Sequence, residues 1–471
     1  MLIKNIDIEI IIIINKISYI LNIKGIHMKK LGKFLIVSVI AYMAMIILST
    51  SVIAVESTDL ELKNQYSESY EKWLELSDEE KENVAMPNMF DIPYYTTSNG
   101  FGDSIFAKQY QKMVKATVSE TSRYRLDEDG VEVRVKDQGY TNECWAFTLT
   151  SVLETTCSKT ATTLAGKEFS PRHMDYATMN VYSDVTLTED TWIREPGQGG
   201  NFRTGLSYIT RGDGPVYESE MPTKVNSKET TIASTELDGF TTRATVKEAV
   251  FFPSIYKKRS GDTFTYYSTM SSSGSTLLAE TTEEAERLVE ENRNNIKEHI
   301  MTYGAVAAQM CGEINPYFNT TTKAYNSTSL SVGHAVTIVG WDDNYSAANF
   351  PVDYQPTTDG AWIVLQSYGT EDTGVHSGMK TIVGDGFFYV SYEDSLIESG
   401  INGIREVTEV DYDYLYQYDP IGYTGYAELE SGSKARVTYT KQSENIENIK
   451  EIGIYLLDEM YVTVLYTDSD E

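Results

Sequence analysis

An α+β fold is predicted by three features of this chain: an apolar, helix-patterned run opening at Cys144, a second helical pattern over residues 283–303, and strand-like alternations further on. Trp145, Leu149 and Val152 recur at three- and four-residue intervals, which places them on one helical face. Residues 335–339, Ala-Val-Thr-Ile-Val, are largely β-branched, and 362–366 and 386–392 carry the same strand composition. Helices dominate the earlier part and strands the later part, as segregated α+β architectures require.

Residues 6–23 are rich in isoleucine but interrupted by Asp7, Glu9 and Lys16, which makes a poor membrane span. Met28-Lys-Lys-Leu-Gly-Lys33, the apolar run 34–48 and the small residues ending at Ala54 form the three parts of a secretory signal. Residues 1–27 are therefore read as an upstream mis-start and 28–54 as a signal peptide; an uncleaved membrane anchor is the alternative. Residues 55–122 are charged and short of core residues, with an amphipathic helix near 71–81 and Ser77 as the N-cap of a second. That stretch is either a prosegment or an exposed spacer.

The segment Gln138-Gly-Tyr-Thr-Asn-Glu-Cys144-Trp-Ala-Phe147 carries the chemistry. A cysteine at a helix N-terminus meets unpaired N–H groups and a dipole that favour thiolate over thiol. The Gln138 carboxamide and the Cys144 N–H together can hold the negative oxygen of a tetrahedral acyl intermediate. This segment resembles the nucleophile motif of the papain-like (C1) cysteine peptidases. Three further segments resemble that family in the expected order: Ser331-Val-Gly-His334-Ala-Val-Thr-Ile-Val-Gly-Trp341, Trp362-Ile-Val-Leu-Gln366-Ser-Tyr-Gly369, and Gly386-Phe-Phe-Tyr-Val-Ser-Tyr392.

The resemblance implies a two-subdomain fold, with a helical left half near 124–222, a β-barrel-like right half near 290–394 and the cleft between them. Cys144 becomes the nucleophile, His334 the base, Gln366 the residue that orients the imidazole, and Gln138 the oxyanion donor. Gly197-Gln-Gly-Gly200 resembles the family's glycine pair, which implies that Gly199 and Gly200 bind the substrate backbone as an added strand. Three residues depart from the pattern. Gln366 stands where the family has asparagine, Tyr368 where it has tryptophan, and Glu143 where it has a small residue, with a charge that opposes thiolate formation. The family's disulfide between the nucleophile and glycine-rich loops is lost at both ends, where Thr141 and Gly197 stand.

The expected peptidase domain covers 123–394, with an insertion at 225–285 containing strand-like stretches near 250–252 and 264–267. From 403 to 471 tyrosine-rich alternation resembles the start of a lectin-like β-sandwich, too short to close and so read as truncated. The other cysteines, Cys157 and Cys311, read as small buried hydrophobes, and the chain has no disulfide framework. The five histidines are scattered, so neither a metal site nor a cofactor is expected. A net charge of −30 argues against nucleic-acid partners and for solubility outside the cell. The reading is a secreted or cell-surface cysteine endopeptidase acting on proteins or peptides, with glycan or cell-surface contact through the C-terminal module. The competing reading is a weak or inactive papain-like surface protein that binds peptide or glycan.

Overall fold

The computed structural model describes residues 5–13, 68–77, 80, 118, 120–160, 163–178, 199–223, 239–271, 274–370, 384–417, 434–440, 442–443, 449–454 and 461–468. The expected signal peptide at 28–54 lies outside these, as do most of 55–122 and the 225–238 part of the insertion. Two compact units are present: one holds residues 64–424 and 448–455, the other 1–63, 425–447 and 456–471.

In the larger unit the helices are α1 (Glu68–Leu74), α2 (Cys144–Lys159), α3 (Pro171–Ala177), α4 (Phe202–Thr210) and α5 (Thr282–Tyr303). Their ends follow local chemistry. Ser170, Asn201 and Thr281 each accept a backbone N–H of the first turn, Pro171 opens α3, and Glu283 and Glu284 face the positive end of the α5 dipole. Ser77 and Glu80 exchange the two hydrogen bonds of a capping box just after α1, as the sequence leads one to expect.

The strands of this unit are β2 (Arg123–Arg125), β3 (Thr245–Phe251), β4 (Tyr256–Ser260), β5 (Thr263–Ser271), β6 (Gly274–Leu277), β7 (Val306–Met310), β8 (Phe318–Asn319), β9 (Ala324–Tyr325), β10 (His334–Asp342), β11 (Ala361–Leu365), β12 (Phe387–Ser391) and β13 (Asn402–Thr408). The main sheet runs β3-β13-β7-β10-β11-β12-β9-β8, with β2 added against β10. Gly340 is where β2 and β10 come closest, since a Cβ there would lie 2.9 Å from the Arg125 Cα. Strand β10 is buried from His334 to Trp341, and α2 packs across it with its own apolar residues in the same core. Helices and sheets within one unit make the fold α+β, as expected.

Two boundaries differ from the sequence reading. Residues 402–408 form a strand, β13, with Ile404 and Val407 buried in the main core, where the sequence reading starts the tyrosine-rich stretch at 403. Part of the insertion belongs to the same sheet, because β3 pairs antiparallel with β13; β4, β5 and β6 form a separate sheet, against which α1 packs. Pairing across some 160 residues leaves no local pattern to read.

The smaller unit contains an antiparallel sheet in which β1 (Asn5–Ile13) lies between β14 (Lys434–Thr440) and β15 (Tyr461–Asp468). The segment Ile6-Asp-Ile-Glu-Ile10 alternates with period two, so its composition suits a strand, although the sequence reading set 1–27 aside as an upstream mis-start. Among the described residues no helix is long and apolar enough to cross a membrane.

Candidate active site

Helix α2 begins at Cys144, and its first turn closes through Ala146 N–H and Phe147 N–H donating to the Glu143 carbonyl at 2.9 and 3.0 Å. Strand β10 begins at His334. Packing α2 on β10 brings the two starts together: the Ala335 backbone N–H bonds toward the Cys144 sulfur, as do those of Trp145 and Cys144 itself. Both side chains are buried, Cys144 at 3% exposure and His334 at 8%.

Burial decides the electrostatics of the resting groups. Desolvation pushes the Cys144 thiol up to about 11, against the pull of the three backbone donors, and the neighbouring Glu143 charge pushes the same way. His334 is pushed down to about 4 by desolvation. Taken singly, each group is neutral at pH 7, so a thiolate–imidazolium pair must recover two desolvation costs through mutual attraction.

The loop before α2 is tied to the segment after β11. Gln138 N–H donates to the Ser367 carbonyl at 2.7 Å, Gly369 N–H donates to the Lys136 carbonyl at 2.9 Å, and Asp137 and Tyr368 form an antiparallel bridge. The Gln138 carboxamide is buried within this junction. Its Oε1 accepts the Ser367 hydroxyl, and Nε2 donates to the Thr141 carbonyl at 2.6 Å. That bond uses one of the two N–H groups of the amide. Beneath, Lys136 Nζ reaches Glu154 of α2 at 2.6 Å, which anchors the loop to that helix.

Gln366 does not make the bond expected of it. Its Nε2 donates to the Gly369 carbonyl at 2.9 Å and its Oε1 accepts the Tyr368 N–H, while His334 Nε2 is buried without a hydrogen-bond partner. The extra methylene relative to asparagine lets the carboxamide fold back onto its own turn. Tyr368 covers the histidine instead: the rings lie 5.3 Å apart at 14° between planes.

Gly199 and Gly200 are buried at the entrance to α4. A Cβ on Gly200 would overlap the Trp145 indole, with Cδ2 at 2.5 Å, so packing against the residue after the nucleophile by itself requires glycine. Gly200→Ala is expected to cost about 1–3 kcal/mol by overpacking, read as a lower thermal midpoint; an unchanged midpoint would show that the indole moves aside freely.

The remaining chemistry-bearing residues lie apart from this centre. Cys157 and Cys311 are buried, and none of the three cysteines forms a disulfide. His173 meets the Tyr208 hydroxyl at 2.7 Å, and His299 packs among Phe252 and Tyr303. No cluster of metal-ligating side chains occurs among the described residues. Sequence reasoning missed Ser367 and Lys136 as the residues that tie down the loop of Gln138. Their positions beside Gln366 and Gln138 were the only available signal.

The family model for papain family cysteine proteases matches residues 118–382. No curated protein matches the chain. Among solved structures it is similar to the cysteine protease and lectin-like domains of Cwp84, a surface layer associated protein of Clostridium difficile, at 24% identity over 76% of this chain and 63% of that one, with a TM-score of 0.49. A clostridial Cwp84 protease after propeptide cleavage is 25% identical over 61% of this chain and 58% of its own, with a TM-score of 0.43. A mite allergen structure, from work on Blo t 1 and Der p 1, is 15% identical over 73% and 86%, with a TM-score of 0.41. The chain thus spans less than two thirds of either clostridial structure.

Proposed function

Because the chain belongs to the papain family of cysteine proteases, we propose that it is a secreted endopeptidase that cleaves proteins or peptides through Cys144 and His334. The observation that supports this reading is the meeting of the α2 and β10 starts, where the Ala335 backbone N–H lies toward the Cys144 sulfur. Neutral His334 takes the Cys144 proton as the sulfur attacks the peptide carbonyl carbon. The oxygen, now negative, meets the Cys144 N–H and the second N–H of Gln138 Nε2. The imidazolium then gives its proton to the leaving nitrogen as the C–N bond breaks, and water, deprotonated by His334, hydrolyses the thioester. Gly199 and Gly200 are proposed to meet the substrate backbone, a role compatible with the packing of Gly200 against Trp145.

Secretion is supported by the charged start at Met28, the apolar run and the small residues that follow. Within 55–122, the packing of α1 on β5 favours a prosegment over a loose spacer. The C-terminal tyrosine-rich residues are proposed to contact glycan or cell surface, beginning beyond β13. A second reading, a peptide-binding protein with little catalysis, is favoured by one feature: burial holds both Cys144 and His334 in their neutral forms.

Alkylation separates the two. Iodoacetamide at slightly acid pH is expected to label Cys144 well before Cys157 or Cys311, because only Cys144 has helix N–H donors and a histidine beside it. Equal labelling of all three, together with no hydrolysis of a casein or fluorogenic-peptide substrate, would decide for the binding protein.

A further inference from the structure

We propose that Tyr368, presented by a turn that the Gln366 side chain closes, is the residue that positions His334, and that Gln366 acts on the imidazole only through it. This inference rests on His334 being the catalytic base. The carboxamide of Gln366 is occupied at both ends by the backbone of its own turn, the Gly369 carbonyl and the Tyr368 N–H. The ring nitrogen His334 Nε2 is buried without a partner, so no side-chain hydrogen bond fixes it. What does confine the imidazole is the Tyr368 ring, nearly parallel to it at 5.3 Å.

That ring is itself held from two sides. The Asp137–Tyr368 bridge, with the Gly369 to Lys136 bond, fixes its backbone to the oxyanion loop, and the Gln366 carboxamide fixes the turn from within. A flat aromatic face constrains the plane of the imidazole while leaving rotation within that plane soft, whereas a hydrogen bond constrains the direction of one ring nitrogen. The face also favours the cation formed during catalysis, since the ring quadrupole attracts imidazolium more than imidazole. Positioning and charge stabilisation are thus supplied by one residue. Because the same turn is bridged to the Gln138 loop, a change at Gln366 reaches the histidine and the oxyanion donor together.

The test uses the full chain and two readouts. The first is the rate and pH profile of Cys144 alkylation by iodoacetamide. Tyr368→Ala is expected to slow it by about tenfold or more through loss of orientation, with Tyr368→Trp and Tyr368→Phe restoring most of the rate. Gln366→Ala is expected to slow it less, and to add nothing in the Tyr368→Ala background, since both changes act along one path. Gln366→Asn gives no gain, because its shorter amide cannot span the turn. The second readout is the His334 ring-proton chemical shift by NMR on histidine-labelled protein, which carries the Tyr368 ring current whether or not the protein catalyses. It should move in Tyr368→Ala and Gln366→Ala but not further in the double variant.

A full Gln366→Ala effect in the Tyr368→Ala background, in either readout, would overturn the proposal, as would a Tyr368→Ala protein with wild-type alkylation. If the ring-proton shifts follow the expected pattern while wild-type Cys144 is not selectively alkylated, the positioning stands and the peptidase reading falls.

Discussion

Cys144→Ala is expected to abolish peptide hydrolysis, lowering kcat by about 10⁴-fold or more, the scale seen when the nucleophile of an acyl-transfer site is removed. No other thiol can substitute. Cys157 lies within α2 in the main core, and Cys311 packs with Tyr256, Val332 and Leu396. His334→Ala is expected to cost a similar factor, and the double variant little more than either, because thiol and imidazole act as one unit. The check is initial-rate hydrolysis of a fluorogenic peptide, with the Cys144→Ala protein shown to melt like the parent. Hydrolysis retained at a tenth of the parent rate would place the nucleophile elsewhere.

What could be read in advance follows from how local each signal is. Cys144 and Gln138 stand in one short segment, and His334 opens a β-branched run, so motif and periodicity single them out as candidates. Helix α2 was legible because Trp145, Leu149 and Val152 mark one face, and all are buried. The side-chain direction of Gln366 was not legible, because it depends on the backbone of residues 367–369 and on one methylene. The place of strand β13 in the main sheet is not legible because the tyrosine-rich alternation begins immediately beyond it, while its partners β3 and β7 lie more than 90 residues earlier. Long-range pairing and buried ion clusters draw on segments whose composition betrays nothing of their partners.

The ion cluster around Glu398 is the case with the largest consequence for stability. Glu398 has no exposure, and it gathers three elements: Arg293 Nε of α5 donates at 3.0 Å, Trp362 Nε1 of β11 donates at 3.1 Å, and Lys257 Nζ of β4 lies 2.7 Å from Oε2. Lys257 also donates to the Tyr392 carbonyl at 2.5 Å, so the charge of the inserted hairpin is locked to the main sheet. Burial alone would raise the Glu398 carboxyl, but Arg293 and Lys257 outweigh it and hold the group down at about 2. A carboxylate depressed in the folded state stabilises above its unfolded pKa of about 4.3, and that contribution is lost as pH falls through the folded value. Glu398→Ala leaves Lys257 buried without its counter-ion and Arg293 without its main one. It is therefore expected to cost about 3–5 kcal/mol near neutral pH. Urea unfolding of parent and variant at a series of pH values tests this directly: the gap between midpoints should be constant above about pH 5 and narrow toward pH 2. A gap that is small at pH 7, or that does not narrow with acid, would mean that apolar packing around β4 and α5, rather than the charge of Glu398, holds the inserted sheet in place.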